Sequence, residues 1–361
     1  PVAASMFTPT AVSVNSTSIS GSSASPSSQN LTFDASGKAT IAVNYSDAGK
    51  VELNAKYTGV AGTPDEGLVM IGSDPFVSFP VGLCITPKDS GALCPAGDVS
   101  CAVYKKAGES FNLQIAAKAW VIDNDSNYCD NPSTPNYVQS GIALSSQLVA
   151  PSPGAQGEVG IASYDQVAAT NNLNTVVQSI SEVGIFTFSA APPASYLGSS
   201  FYSIPLAKSA NIGRFVPDRF GVTNPSVLPA CSTSFSYMDQ NFVVAFNLEA
   251  LNVSGVVTKN YRGSFAKASG LLVGENNDDG NDMQARLNDV VVPLQSSSWA
   301  IGEANIDYQP HFSRLPALVG GEVDGPYEQM LLGIKVFDND GNVSSVATPN
   351  MNAATLGDCS V

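Results

Sequence analysis

The chain has 361 residues, and only 13% of them carry a charged side chain. Its 31 acidic and 16 basic residues give a net charge of −15, which repels phosphate backbones and anionic lipid surfaces. We therefore expect no nucleic-acid partner. The sequence also holds no apolar run of about 18 residues, so we expect no membrane span. The length is sufficient for two or three domains, each with its own core.

The chain starts with a segment of weak structural signal. Residues 1–30 are rich in Ser, Thr, Ala and Pro, and Pro1 is preceded by neither a Met nor a charged-then-apolar leader. The chain is expected to be either a mature form or a fragment, and we favour a fragment whose first domain is incomplete at the N-terminus.

Two runs of alternating apolar residues follow, on either side of a short segment with Asp47 and Gly49. Such runs predict two strands joined as a hairpin. The runs are Ala39, Ile41, Val43 and Tyr45 before the turn, and Val51, Leu53, Ala55 and Tyr57 after it.

Parts of the sequence recur at a spacing of about 130 residues, which is the size of a whole sandwich domain. Residues 46–55 resemble 181–190, residues 80–86 resemble 217–223, and residues 107–113 resemble 238–244. The pairs Asn136-Tyr137 and Asn260-Tyr261 follow in the second and third repeats. We expect three β domains, with residues 80–86 and 217–223 as the last strands of the first two.

The strand signals favour an all-β fold of tandem immunoglobulin-like antiparallel β-sandwich domains, with a jelly roll as the alternative. Only residues 166–179 favour a helix. In the last domain one alternating run predicts a strand with a buried face: Phe242, Val244, Phe246, Leu248 and Ala250. The predicted domains are residues 1–88, 103–223 and 224–361, with a Gly/Pro/Cys linker at 89–102.

The cysteines form an even set without the Cys-x-x-Cys spacing of a zinc site or redox dithiol. Disulfides in an oxidising compartment are the better interpretation, although six cysteines allow about fifteen pairings. Cys94 and Cys101 flank a short loop, and Cys231 and Cys359 could link the two ends of the last domain. The predicted disulfide residues are Cys84, Cys94, Cys101, Cys129, Cys231 and Cys359.

The sequence shows no catalytic motif. Its one histidine, His311, lies between Pro310 and Phe312, and no Gly-x-Ser-x-Gly turn accompanies it. We predict that the protein is not an enzyme, and we assign no catalytic or cofactor-binding residue.

Three loops place Asp and Asn at alternate positions, which is how a loop presents oxygen ligands to calcium. They are residues 123–127, 276–282 and 338–342, and none carries the Glu at position twelve that an EF-hand requires. Ordinary hairpin turns explain the same composition. The candidate calcium ligands are Asn276, Asp278, Asp282, Asp338, Asp340 and Asn342.

A few conspicuous side chains have structural interpretations. We expect Arg214 to pair with Asp218 or to cap carbonyls at a domain junction, with Phe215 and Phe220 packed inward. An exposed Trp can stack on sugars, but core or interface packing is the expectation for Trp120 and Trp299.

One block resembles the MshQ-like proteins, which are encoded with mannose-sensitive haemagglutinin (MSHA) type IV pili. The block consists of Gly213 to Phe220, Cys231, Phe235 to Met238, Thr258 to Tyr261, Gly263 and Phe265 to Lys267. Further matches to that family's pattern lie at Tyr45 to Gly49, Lys106 to Glu109 and Gly325 to Tyr327. The resemblance extends from about Leu31 to Val361, and it implies a pathway but no reaction.

The resemblance implies a structural or adhesin-like part in the assembly or display of an MSHA-type pilus or similar fibre. We expect a secreted or cell-surface protein that passes through the periplasm, with fibre subunits, including copies of itself, as partners. Two alternatives stay open: a calcium-dependent carbohydrate-binding module with a glycan partner, and a subunit that polymerises by donating a strand.

Overall fold

The computed structural model describes residues 2–5, 12–19, 27–231, 235–276, 283–315, 320, 323–327, 330–340, 346–347 and 351–352. Regular structure in these residues consists of β-strands and short 3-10 helices, with no α-helix among them, which confirms the all-β prediction. The 3-10 helices are Ser90–Ala92, Tyr128–Asp130, Thr170–Asn172, Gly263–Phe265, Gln284–Arg286 and Ser296–Ser298.

The first unit contains two three-stranded antiparallel sheets, ordered β1-β5-β6 and β3-β2-β4. Val12, Val14, Ile19 and Val51 form its small buried core. Its strands are β1 (Val2–Ser5), β2 (Val12–Val14), β3 (Thr17–Ser18), β4 (Val43–Tyr45), β5 (Gly49–Thr58) and β6 (Val69–Ser78).

The hairpin predicted around Asp47 is wrong, because β4 and β5 lie in different sheets. β4 pairs with β2, whereas β5 pairs with β1 and β6. The segment between them crosses from one sheet to the other, and the side chain of Asp47 is buried rather than exposed at a turn.

The second unit contains two sheets. Their strand orders are β12-β9-β7 and β11-β10-β13-β15-β8. In the larger sheet β14 also pairs with β13, in antiparallel orientation, and β15 pairs with β8 in parallel orientation. The strands are β7 (Gly82–Pro87), β8 (Lys105–Lys106), β9 (Phe111–Lys118), β10 (Gln139–Ala150), β11 (Ser163–Gln166), β12 (Asn174–Gln178), β13 (Gly184–Ala191), β14 (Ala207–Lys208) and β15 (Ile212–Val216).

The third unit has sheets ordered β16-β17-β22-β21 and β20-β18-β24-β25, with β26 on β24 and a separate pair β19-β23. Its strands are β16 (Arg219–Leu228), β17 (Val243–Leu251), β18 (Ala268–Asn276), β19 (Leu287–Asn288), β20 (Val291–Val292), β21 (Trp299–Ala300), β22 (Glu303–Tyr308), β23 (His311–Phe312), β24 (Met330–Asp338), β25 (Val346–Ala347) and β26 (Met351–Asn352).

The predicted alternation in β17 is confirmed. Val244, Phe246, Leu248 and Ala250 are buried along with Phe242, and the intervening residues are only partly covered. A period of two therefore places one face of this strand in the core.

Two strand assignments and one helix assignment from the sequence are wrong. β7 pairs with β9 and β16 pairs with β17, so each of these strands opens the unit that follows instead of closing the one before. Residues 166–179 hold the end of β11, a 3-10 turn and β12 instead of a helix, because Gln178 and Val176 alternate with exposed residues at strand spacing. At residues 80–86 and 217–223 the strand itself is present and only its unit differs, because its partner lies later in the chain. At residues 166–179 strand pairing overrides the local helix signal.

Two hydrophobic cores extend across unit boundaries. Ala48 of the first unit belongs to the core of the second. Val183 and Ile185 of the second unit belong to the core of the third, together with Cys94 and Ala107. The units are therefore packed against one another rather than joined only by chain.

Candidate functional site

The junction between the first and second units is built around the buried carboxylate of Asp47. Asn136 donates to it twice, from its backbone N–H at 3.2 Å and from its side-chain Nδ2 at 2.7 Å. The hydroxyl of Ser78 donates to the backbone carbonyl of Asp47 at 2.7 Å. Two residues along from Asp47, Gly49 begins β5, so the contact fixes the start of a central strand.

The junction between the second and third units repeats this arrangement around Glu182. The carboxylate of Glu182 accepts hydrogen bonds from the backbone N–H groups of Lys259 at 3.0 Å and Asn260 at 3.1 Å. The side chain of Asn260 donates to the carbonyls of Val183 at 3.0 Å and Ala155 at 2.9 Å, and it accepts from the N–H of Ala155 at 2.7 Å. Asn260 is fully buried, and these bonds satisfy its amide.

The residues next to these polar contacts enter the neighbouring unit's core. Ala48 packs in the same cluster as Tyr137, and Val183 packs in the same cluster as Tyr261. Both tyrosines are fully buried. The recurrent acidic segment and the recurrent Asn-Tyr pair are thus two halves of one contact, which the chain uses twice.

An ion-pair cluster also crosses the second junction. The guanidinium of Arg214, in β15, makes a two-pronged contact with the carboxylate of Asp340, one prong measuring 2.9 Å. Lys267 contacts the same carboxylate at 2.8 Å, and Arg214 donates from Nε to the carbonyl of Cys101 at 3.0 Å. The side chains of Arg214 and Asp340 are each 5% exposed, so water screens this pair weakly.

The carboxylates at this junction differ in pKa because their partners differ. Burial raises the pKa of Glu182, and the backbone hydrogen bonds from Lys259 and Asn260 offset only part of the rise. Burial likewise raises the pKa of Asp338, which accepts from the Tyr261 hydroxyl at 2.7 Å. At Asp340 burial acts in the same direction, but the hydrogen bonds and charges of Arg214 and Lys267 outweigh it and lower the pKa.

The candidate calcium residues that the structure describes are engaged within the chain. The Asp338 carboxylate accepts hydrogen bonds from the Tyr261 hydroxyl and the backbone N–H of Asp340. The Asp340 carboxylate forms ion pairs with Arg214 and Lys267. In the described part of the chain, no three His, Cys, Asp or Glu residues form a group that could hold a metal ion. Asp278, Asp282, Asn342 and the side chain of Asn276 lie outside the described residues, so calcium binding there stays a prediction.

Four of the six predicted disulfide residues form two disulfides, Cys84–Cys129 and Cys94–Cys101. Both lie in the second unit, and the second of them closes the loop that was expected to be a linker. Cys231 is half-buried and has no disulfide partner among the described residues. Cys359 lies outside those residues, so a Cys231–Cys359 bond stays a prediction.

The remaining singled-out residues have mixed outcomes. Trp299 is buried against Phe220 and Tyr261, as expected, whereas the expectation for Trp120 is wrong, since it is 59% exposed in a surface loop. Arg214 caps a carbonyl at a junction as predicted, but its carboxylate partner is Asp340, not Asp218. Phe215 and Phe220 are buried. His311 lies on β23, with Nδ1 3.7 Å from the carboxylate of Asp289.

The first unit also presents an apolar surface on the distal half of its β5–β6 hairpin. A cleft of about 700 Å³ lies beside this surface. The exposed large apolar side chains that line the cleft are Phe33, Tyr57, Leu68, Met70 and Ile71, with Ile71 80% exposed. Clustered exposed apolar residues of this kind mark interaction surfaces.

The sequence shows both repeats but not their contact. Its pattern predicts a turn at the acidic segment and gives the Asn-Tyr pair no role. One signal was available: an Asn-Tyr pair follows each acidic segment, Asn136-Tyr137 after Asp47 and Asn260-Tyr261 after Glu182, although Asn-Tyr also occurs at residues 44–45 and 127–128. The pairing of Arg214 with Asp340 carried no such signal, because 126 residues separate them.

Comparison with protein families gives three adjoining matches. Residues 2–73 match the model described as the domain of unknown function DUF6701, first Ig-like domain. Residues 79–175 match the DUF6701 second domain, and residues 182–361 match the third. The Ig-like description agrees with the predicted immunoglobulin-like fold class. Among curated proteins, none matches the chain significantly.

A search of solved structures finds similarity to the D0-D1 domain of Intimin. The alignment covers 69% of this chain and 92% of that chain, at 11% sequence identity and a TM-score of 0.18. A score this low supports no inference about what this chain binds. Within the described residues, no helix is long and apolar enough to cross a membrane.

Proposed function

The chain belongs to the DUF6701 family, and we propose that it is a non-enzymatic, adhesin-like structural component of an extracellular fibre. In this role the three units form a stiff spacer that holds other parts of the protein away from the cell. Within this proposal, the resemblance to MshQ-like proteins favours an MSHA-type or related pilus as the fibre.

The observation that carries this proposal is the repeated junction. A flexible string of domains needs only exposed linkers between units, which leave relative motion as the default. Here a buried acid of one unit is held by the Asn-Tyr segment of the next at both junctions. Polar bonds inside shared cores resist bending because opening them would leave a buried carboxylate without its donors.

Two further features support the proposal. Disulfides persist in oxidising compartments, so Cys84–Cys129 and Cys94–Cys101 favour the periplasm or the cell exterior. The exposed apolar hairpin of the first unit favours a protein partner, such as a fibre subunit or a second copy of the chain.

The proposal is tested in cells that make the full-length protein. A membrane-impermeant amine reagent should label it on intact cells, and a chemical crosslinker should join it to fibre subunits. Exclusive labelling after lysis would contradict exposure at the cell surface. Free thiols at Cys84 and Cys94 in freshly trapped protein would place the chain in a reducing interior and also contradict the proposal.

A further inference from the structure

A second cleft, of about 510 Å³, lies where the second and third units meet. The second unit contributes the loop of the Cys94–Cys101 disulfide and residues 150–153. The third contributes residues 262–265, which directly follow the Asn260-Tyr261 pair, and residues 296–299. The cleft therefore lies beside the second junction, and its two walls come from the two units that this junction joins.

Arg262 is the cationic group of this cleft, and it differs from the other arginines. Among the described residues, no acceptor or carboxylate contacts its guanidinium, although it is half-buried. Every other arginine of the chain contacts a carboxylate: Arg214 with Asp340, Arg219 with Asp218, Arg286 with Asp324, and Arg314 with Asp239. The chain has a net charge of −15, so acidic side chains are abundant, yet none of those that the structure describes pairs with this half-buried arginine. Its guanidinium is therefore available to bind an anion from outside the chain.

The one carboxylate in the cleft lining does not supply this partner. Asp98 accepts hydrogen bonds from the backbone and the hydroxyl of Ser100, and these bonds lower the pKa of its exposed carboxyl group. The Asp98 carboxylate is therefore engaged by Ser100 of its own loop and forms no ion pair with Arg262.

The rest of the lining offers neutral hydrogen-bonding groups and apolar surface. Ser264, Ser296 and Ser297 present exposed hydroxyls, and Pro151, Pro153 and Phe265 supply apolar area. Trp299 also lines the cleft, and its buried indole N–H has no hydrogen-bond partner among the described residues. A buried donor without an acceptor is costly, so this site gains from an acceptor supplied by a ligand or by water that a ligand orders.

We propose that this cleft binds a carboxylated saccharide, with Arg262 holding the carboxylate and the serine hydroxyls contacting the sugar hydroxyls. An acidic sugar matches the lining because it combines one planar anion with several neutral donors and acceptors. Arginine recognises that anion by two parallel hydrogen bonds. This inference goes beyond the structural role proposed above and does not depend on it.

The experiment uses two ligands that differ only in the anion, methyl glucuronoside and methyl glucoside. Trp120 is first replaced by Phe, which leaves Trp299 of the cleft as the fluorescent reporter. The glucuronoside should bind with a Kd in the millimolar range and alter the emission of Trp299. The glucoside should bind about tenfold more weakly, because one charge-assisted contact is missing.

Two variants, each of which removes one positive charge, test whether the preference for the glucuronoside depends on Arg262. Arg262→Gln should abolish the preference for the glucuronoside while leaving the melting temperature unchanged, since its side chain has no partner to lose. Arg314→Gln, at a side chain that is 75% exposed and distant in sequence, should keep the preference. N-acetylglutamate methylamide serves as a carboxylate without a sugar ring.

Several results would overturn the proposal. It is rejected if neither sugar binds, if both bind alike, or if Arg262→Gln keeps the preference. Equal binding of the glutamate derivative and the glucuronoside would show that the cleft selects any carboxylate, and the saccharide assignment would then be wrong. Because stability is measured separately, loss of binding through unfolding is distinguishable from loss of the anion contact.

Discussion

Glu182 of the second unit and Asn260 of the third meet across the boundary between their units, with the backbone N–H of Asn260 3.1 Å from the Glu182 carboxylate. Asp47 and Asn136 meet in the same way one unit earlier. In the second junction both residues are buried, Glu182 at 6% exposure and Asn260 at 0%, whereas Asn136 in the first junction is exposed. The two junctions therefore share a design and differ in how strongly they should resist opening.

Replacing Asn260 with Ala should destabilise the protein by about 2 to 4 kcal/mol, because the buried carbonyl of Val183 and the half-buried N–H and carbonyl of Ala155 lose their partners. Urea unfolding measures the change in the free energy of unfolding. Asn136→Ala is the matched control, with an expected cost of about 1 kcal/mol for the loss of one side-chain bond to Asp47. Equal costs for the two variants would contradict the difference in burial.

Replacing Asp340 with Ala should cost about 3 to 5 kcal/mol, because the buried guanidinium of Arg214 is left without its countercharge. The exposed pair of Arg314 and Asp239 provides a control, and Arg314→Ala should change the midpoint of unfolding little. If Asp340→Ala is as mild as Arg314→Ala, the second junction does not depend on the ion pair of Arg214 and Asp340.

The acid limb of the stability profile should depend on Asp324. Burial raises its pKa, but the Arg286 guanidinium and hydrogen bonds from Leu315 and Tyr327 outweigh burial and lower the pKa to about 2. A folded pKa below the unfolded value of 3.8 gives stability that is present above pH 3.8 and lost as the pH falls through 2. The size is roughly 2 kcal/mol, and Asp324→Asn should flatten this limb when unfolding is measured at several pH values.

Glu182 should give the opposite sign. Its folded pKa is raised above 4.5, so its contribution is complete below that value and is lost as the pH rises through the folded pKa. Glu182→Gln removes a term that favours the folded state in acid, and stability should then fall more steeply on acidification than in the unsubstituted protein. A shallower acid limb in Glu182→Gln would contradict the assigned direction.

The disulfides should contribute unequally because they close loops of different length. Cys84–Cys129 spans 45 residues and Cys94–Cys101 spans 7, for which loop-closure entropy gives about 4 and about 2 kcal/mol. Paired Cys→Ser variants compared by urea unfolding measure these costs.

A thiol assay on denatured, unreduced protein should find no free thiol if Cys231 pairs with Cys359, and two free thiols would contradict that prediction.

The two tryptophans should differ in their access to solvent. Trp120 is 59% exposed and Trp299 only 4%, so acrylamide should quench two populations of fluorescence. Trp120→Phe should remove the accessible population and shift the emission maximum to shorter wavelength. Uniform quenching in the unsubstituted protein would contradict the burial of Trp299.

The sequence was sufficient for the fold class and for individual strands with a clear period, such as β17, where the buried face follows directly from Phe242 to Ala250. It was insufficient for strand partners, because a local pattern does not specify what a strand pairs with. Residues 80–86 show this: the strand was recognised, but its pairing with β9 depends on residues some thirty positions later.

The junction was half predictable. Repetition of residues 46–49 at 181–184 indicated a shared role, but a buried carboxylate and an exposed turn have the same composition of Asp, Ser and Gly. The acidic loop at Asp338 and Asp340 shows the same ambiguity. There, oxygen ligands suited to calcium contact Arg214, Lys267 and Tyr261 instead, and these partners are brought in by tertiary packing alone.

The central claim is that the junctions hold the units rigidly, and a distance distribution across the second junction tests it most directly. Nitroxide labels on unnatural amino acids at Val167 and Val291, which are exposed in the second and third units, avoid the native cysteines. The account predicts one narrow distribution by pulsed electron paramagnetic resonance, broadened by the pair of changes Asn260→Ala and Asp340→Ala. A broad distribution in the unsubstituted protein would contradict the rigid spacer.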